Sequence, residues 1–225
     1  MAAPLLPKVL DLLASRYGQI GDPPPKTAFE MILFENVAYL ADDGERRKSY
    51  ALLAKSVGTK PQAILEAPFA ALRAIAAYGI LPDRFAGKLR EAARIAVEEF
   101  EGDFEAAMEG PVPSARKALR KFPGIGEPGA DRILLFTGRH ASLAPESNAL
   151  RVLTRLGIIH EEKSYAAGYS AAQKAAAKEL GTDFERLRQA HRLLRRHGQV
   201  VCRRGPPECD KCPVAPLCEY FRARA

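Results

Sequence analysis

The sequence predicts an all-α fold, and three observations lead to this prediction. Alanine and leucine are abundant, whereas the runs of valine, isoleucine and threonine that favour strands are scarce. No segment alternates polar and apolar residues over six positions, and many segments repeat apolar residues at helical spacing. With 47% hydrophobic and 27% charged residues, the chain of 225 residues has the composition of a globular protein.

Five segments of the first half have a helical apolar period. The first ends at Gly18, and a stiff proline-rich linker follows at 21–25. The fifth places its apolar residues on one stripe and its charges on the opposite face. The predicted helices span residues 3–17, 29–41, 45–57, 67–78 and 84–100.

The second half begins with a proline break at 111–113, after which Ser114 is predicted to cap a short helix. Two helices then flank a glycine turn at 123–126. Asp183 is predicted to cap a basic helix that Gly198 ends. The later predicted helices span residues 146–156, 170–180 and 183–197, which gives roughly ten helices in all.

The charge distribution favours a polyanionic partner. The formal net charge is +7 and the isoelectric point is near 9.3. From Asp183 onward ten Lys and Arg residues face five acids, so the basic excess surrounds the cysteines. No stretch approaches the roughly 20 apolar residues of a membrane span, and Lys8 and Asp11 interrupt the apolar N-terminal run. We therefore expect a cytoplasmic monomer (nucleoid-associated if bacterial) without a membrane partner.

All four cysteines fall within 17 residues and have the spacing C-x6-C-x2-C-x5-C. A chain without a secretion signal is not expected to form disulfides. A four-cysteine zinc site is one alternative, although such sites usually pair two short hooks and only one is present here. A [4Fe–4S] cluster is the other. The spacing leaves both open for Cys202, Cys209, Cys212 and Cys218.

The cysteine spacing and its lead-in, His197-Gly198 four residues before Cys202, resemble the iron–sulfur cluster loop of the endonuclease III family of DNA repair enzymes. The resemblance implies a [4Fe–4S] cluster with a chiefly structural role. It also implies that basic residues of the loop contact DNA phosphates. Those residues are Arg203, Arg204 and Lys211.

The turn Pro123-Gly124-Ile125-Gly126 resembles the helix–hairpin–helix signature of the same family, which binds one DNA backbone without reading its sequence. Gly124, Gly126 and Gly129 would let backbone amides approach a phosphate, while Ile125 would enter the core. A glycine turn alone is equally typical of a plain helix–helix connection. Its place about 80 residues before the cysteines matches the family's order, and the resemblance covers roughly residues 27–220.

Two catalytic positions depart from the family pattern. Where bifunctional members carry a Schiff-base lysine, this chain has Pro128, so AP-lyase activity is not expected to be efficient. Where the family has an aspartate, this chain has Glu146, which the resemblance implies stabilises the developing sugar cation and activates water. The alternative for Glu146 is a plain helix-terminal acid. Asn148 is a candidate for contact with the sugar–phosphate backbone.

The family draws its base pocket from the first long helix of the central domain. Polar residues and one aromatic residue on that helix are therefore candidates for the pocket, with core or surface roles as the alternative. They are Glu30, Glu35, Asn36 and Tyr39.

Together these patterns predict the two-lobed helix–hairpin–helix DNA glycosylase fold with a C-terminal [4Fe–4S] loop. Residues 27–135 would form a helical bundle with the hairpin, and residues 1–26 and 136–225 a discontinuous cluster domain, with double-stranded DNA across the cleft and Glu146 at its floor. The predicted function is a monofunctional DNA N-glycosylase of base-excision repair acting on damaged, mispaired or abasic DNA. The alternatives are a non-catalytic DNA-binding or damage-sensing protein and a zinc-bound DNA-binding module.

Overall fold

The computed structural model describes residues 4–224, and this part of the chain contains helices and turns but no strand. The all-α prediction is therefore confirmed. None of the helices within residues 4–224 is both long and apolar enough to cross a bilayer. The helices are α1 (Leu5–Tyr17), α2 (Ala28–Asn36), α3 (Asp43–Ser56), α4 (Pro61–Glu66), α5 (Phe69–Ala76), α6 (Pro82–Phe100), α7 (Val112–Leu119), α8 (Glu127–Phe136), α9 (Ser147–Leu156), α10 (Tyr165–Leu180), α11 (Phe184–Val200) and α12 (Glu219–Arg222).

The chain divides into two compact units. The central unit comprises residues Pro23–Arg139 and thus α2 to α8. The terminal unit is discontinuous: it joins the segment that ends at Asp22, with α1, to the segment that begins at His140, with α9 to α12.

Helix α2 forms the centre of the central unit's core, because seven of its nine residues are buried. An isolated apolar helix of this length would not persist, so its ends need partners. Thr27 and Glu30 form a capping box at its start. The carboxylate of Glu105 accepts further hydrogen bonds from the backbone amides of Ala28 (3.1 Å) and Phe29 (3.0 Å).

In the terminal unit α9 packs directly against α11, and glycine makes this approach possible. A Cβ built on Gly198 would lie 2.6 Å from the carbonyl oxygen of Asn148, closer than real Cβ atoms come to other atoms. Helix α1 packs on α10 and α11. At the first turn of α1, the carboxylate of Glu179 accepts a hydrogen bond from the Leu6 amide. At its last turn, the hydroxyl of Tyr17 lies 2.9 Å from His197 Nδ1.

Some predicted helix boundaries were wrong. Ser114 does not cap α7, which begins at Val112 directly after Pro111, so Ser114 lies inside the first turn. Gly198 does not end α11, because its missing side chain is used for packing against α9 and the helix continues to Val200. Helix α2 ends at Asn36, five residues early. The cap predicted at Asp183 is present, since its side chain accepts from the Arg186 amide.

Candidate functional site

The four cysteine thiols line one apolar cavity of the terminal unit, together with side chains from α9, α11 and the loop that follows α11. Within residues 4–224 no three His, Cys, Asp or Glu side chains converge on a point that could hold a single ion. A zinc ion needs four sulfurs about 2.3 Å from one centre. Four thiols that line one cavity can also hold a cluster in which each thiolate binds a different iron.

The surroundings of the thiols fit ligands that bind as thiolates. Arg155 Nη1 lies 3.4 Å from Cys202 Sγ, and His197 Nε2 lies 3.5 Å from Cys212 Sγ. N–H groups at this distance can donate to a charged sulfur. Without a metal, burial raises the pKa of Cys212 to about 11, so the free thiol stays protonated and a metal must displace its proton.

The cations of the cysteine loop are not equivalent. Arg203 and Lys211 both pair with the carboxylate of Glu208. The exposed side chain of Arg204 has no carboxylate partner among the residues that the structure describes. Surface ion pairs such as those of Glu208 contribute between zero and about 1 kcal/mol to stability. A phosphate can therefore compete with Glu208 for these two cations. Arg204 is free to bind an anion, whereas Arg203 and Lys211 must exchange partners.

In the central unit α7 and α8 form a helical hairpin around an exposed turn. Gly124 has φ +78°, a conformation that glycine adopts without steric cost. Ile125 is buried in the core, while Gly124 and Gly126 are exposed, and their amides donate to no residue in the described part of the chain. Two free amides at the start of a helix are suited to an anion. Pro128 occupies the second position of α8 and carries no amine.

Two of the predicted pocket residues lie beneath this hairpin. The buried amide of Asn36 donates to the carbonyl oxygens of Pro123 (2.9 Å) and Ile32 (3.0 Å). Glu35 pairs with Arg132 on α8. Both side chains are therefore engaged in holding the hairpin on α2. Glu30 likewise serves as the capping partner of Thr27.

Replacing Gly124 with alanine is expected to lower the free energy of unfolding by about 1–2 kcal/mol. The left-handed backbone disfavours a side chain, and the new Cβ would lie 2.9 Å from Asn36 Oδ1. Gly129→Ala is the matched control, because a Cβ there meets Ile125 Cγ2 at an ordinary 3.6 Å. It should be neutral or stabilising. Urea unfolding of both variants checks this, and equal losses would contradict it.

Glu146 stands at the N-cap of α9 in the terminal unit. Its Oε1 accepts from the Ala149 amide at 2.9 Å, and its Oε2 accepts from Asn148 Nδ2 at 2.7 Å. The preceding backbone is fixed as well, since Gln173 donates to the Leu143 carbonyl at 3.2 Å and His191 Nδ1 lies 2.7 Å from the Ala144 carbonyl. The half-buried carboxylate is thereby held in one position.

Arg151 connects this carboxylate to the cysteine loop, and sequence reasoning missed it. Its guanidinium donates to Asn148 Oδ1 (2.7 Å), to the Gly198 carbonyl (2.7 Å) and to the Cys202 carbonyl (2.9 Å). Burial lowers the pKa of Arg151. The spacing of Asn148 and Arg151, three residues apart on one helix face, was the available signal. Glu146, Asn148, Arg151 and Cys202 thus share one hydrogen-bond network.

A second missed feature is an exposed apolar patch in the central unit, formed by Leu40, Ile80 and Leu81. These side chains are 70%, 52% and 49% exposed. Leu40 and Leu81 have φ of +55° and +57°, which is costly for leucine. The Ile80 amide donates to the carbonyl of Tyr39 at 3.0 Å and so joins the two segments. Strained leucines held in solvent indicate a functional surface.

Comparison with known proteins places these features in context. Endonuclease III of Rickettsia conorii is 28% identical over 110 residues, 49% of each chain. Endonuclease III of Sulfolobus acidocaldarius is 31% identical over 127 residues, 56% of this chain and 53% of that protein. The chain thus spans about half the length of the curated relatives it matches. No protein-family model matches it.

Among solved structures, a thermostable thymine-DNA glycosylase superposes with a TM-score of 0.76 at 17% identity. The match covers 97% of this chain and 95% of that one. At this identity the likeness shows a shared fold.

Proposed function

We propose, from the premise that this chain is related to endonuclease III and has the fold of the helix–hairpin–helix DNA glycosylases, that it removes a damaged or mispaired base from double-stranded DNA by hydrolysis. The observation that carries the proposal is the fixed, half-buried carboxylate of Glu146 at the start of α9. Its companion is Pro128, which leaves the position just past the second glycine of the turn without a nucleophilic amine.

The hairpin is the proposed contact with the DNA backbone. The free amides of Gly124 and Gly126 can donate to a phosphate oxygen, and the start of α8 adds its positive dipole end. Such contacts fix the position of DNA without reading its sequence. Arg204 supplies a further cation on the cysteine loop of the terminal unit.

The proposed chemistry breaks the bond between C1′ and the base, whose electron pair leaves with the base, and the oxygen of a water molecule forms the new bond to C1′. Glu146 stabilises the positive charge that develops on the sugar and accepts a proton from the attacking water. Asn148 and the Ala149 amide hold the carboxylate. Arg151 orients Asn148 in turn and acts as a positioning residue.

Extrusion of a nucleotide requires that its place in the base stack be filled. The patch of Leu40, Ile80 and Leu81 is suited to this task, because exposed apolar side chains can wedge between base steps and unstack them. Tyr39, 40% exposed and stacked on Phe85, borders the patch. This assigns the wedge to residues beyond the end of α2.

The cysteine cavity is proposed to hold a [4Fe–4S] cluster through Cys202, Cys209, Cys212 and Cys218. When bound, the cluster would cross-link a short loop that has little apolar burial of its own. It supplies no step in base release. Its contribution is to fix the backbone of Cys202, to which Arg151 donates.

A panel of duplexes, each with one damaged or mispaired base, tests the proposal with the purified protein. Release of a free base from at least one duplex supports a glycosylase. The second candidate is a non-catalytic DNA-binding protein, which the full engagement of both Glu146 oxygens by Ala149 and Asn148 favours. Salt-sensitive binding without any released base would select it over the glycosylase.

Borohydride reduction during the reaction is expected to trap no covalent protein–DNA adduct. Only an amine that attacks C1′ forms the reducible Schiff base, and Pro128 has none. Pro128→Lys is the positive control and should become trappable on abasic DNA. Gel mobility after reduction measures both. An adduct with the unchanged protein would contradict the hydrolytic mechanism.

A further inference from the structure

Lys88 on α6 lies beside the hairpin turn although it belongs to neither hairpin helix. A Cβ built on Gly124 would lie 3.4 Å from Lys88 Nζ. The ammonium also rests over the ring of Phe85, 4.4 Å from its centroid. The ring of Phe85 therefore holds the ammonium of this flexible side chain next to the glycine turn.

The charge of Lys88 is not compensated. Among the described residues, no acceptor takes a hydrogen bond from its ammonium and no carboxylate pairs with it. Burial lowers its pKa, and the neighbouring charge that lowers it further is Arg84, another cation one turn earlier on the same helix. Like charges at this spacing disfavour a helix. The arrangement becomes favourable when an anion binds between the hairpin and α6.

The hairpin also carries a negative charge next to the glycine turn, since Glu127 is the first residue of α8. The amides of Gly124 and Gly126 therefore gain from a nearby cation when they bind a phosphate. We propose that Lys88, reinforced by Arg84, binds the same DNA backbone phosphate region as the hairpin turn, as a phosphate contact contributed from outside the helix–hairpin–helix motif. This inference rests on the DNA binding of the proposed function and adds a residue to it.

The position of Lys88 also relates it to the apolar patch. Phe85, which carries its ammonium, stacks on Tyr39 at 4.6 Å, and Tyr39 precedes Leu40. The phosphate held by Lys88 would therefore lie between the hairpin-bound backbone and the nucleotides next to the patch. If the hairpin and Lys88 bind the DNA backbone while the patch contacts the nucleotides, these contacts would favour a bent DNA backbone at the extruded nucleotide.

The salt dependence of binding to an undamaged duplex tests this without any catalytic readout. Each phosphate contact adds about 0.9 to the slope of log K against log salt concentration. Lys88→Met should reduce the slope by about that amount, while Lys88→Arg should keep it. Lys121→Met is the matched control: Lys121 also lies over a phenylalanine, Phe100, but is paired with Glu99. Its slope should change less than that of Lys88→Met, because a phosphate would first have to displace Glu99.

A slope that is the same in Lys88→Met and the unchanged protein would overturn the inference, and so would an equal decrease in Lys121→Met. Melting temperatures of the variants establish that each is folded. Failure of the glycosylase proposal looks different, because the lesion panel would then yield no base even if the slope changes. If bases are released and the slope is constant, only the role of Lys88 fails.

Discussion

Glu146→Gln is expected to reduce the rate of base release by a factor of at least about 100, with duplex binding retained. Glutamine keeps an oxygen that can cap α9 but loses the negative charge and the capacity to accept a proton. A weaker cap would lower the free energy of unfolding by about 1 kcal/mol at most, so the fold should persist. Single-turnover rates on the best lesion of the panel measure the effect.

Asp183→Asn is the matched control for the capping role. Asp183 caps α11 in the same unit, where its side chain accepts from the Arg186 amide at 2.7 Å. Its replacement should leave base release unchanged. If Glu146→Gln releases the base at the unchanged rate, or if both variants lose activity equally, the carboxylate has no chemical role and Glu146 is only a cap.

Cys212→Ser is expected to abolish cluster binding and to destabilise the terminal unit by several kcal/mol. The unchanged protein should be brown and contain about four irons per chain, whereas the variant should be colourless. Hydrogen exchange should then become fast in α11 while the central unit stays protected, because the two units have separate cores. Iron analysis and exchange mass spectrometry measure the two effects.

Lys211→Gln serves as the control on the same loop. Lys211 lies between Cys209 and Cys212, but its side chain points to Glu208, so its loss should not release iron. One zinc per chain in the unchanged protein, without visible absorption, would contradict the cluster proposal and indicate a site for a single zinc ion.

The sequence sufficed for features whose cause is local. The cap at Asp183, the turn at Gly124 and the end of α9 at Leu156 each follow from residues within one or two turns of the helix end. The all-α class followed from periodicity in the same way. The unit boundaries at 26/27 and 135/136 stay a prediction, and the compact units of the structure are divided at 22/23 and 139/140.

Features that depend on distant partners were not predictable. Asn36 is committed to Pro123, 87 positions away, and no local pattern distinguishes that role from a pocket role. The sequence predicts a helix stop at Gly198, because the close contact that requires glycine there is with the backbone of Asn148 on another helix. Hydrophobicity predicts burial for Leu40 and Leu81, whereas both side chains are exposed and their backbone has positive φ.

The discontinuity of the terminal unit has a consequence for biosynthesis. Helix α1 packs against α10 and α11, yet more than a hundred residues separate Asp22 from His140. At about 5–20 residues per second, synthesis of the segment that contains the partners of α1 begins roughly 6–24 seconds after Asp22 has been added. The central unit can fold in that interval, whereas α1 has no packing partners until α10 and α11 have been synthesised. The set of four cysteines is complete only after synthesis has passed Cys218, so the proposed cluster would be inserted after that point.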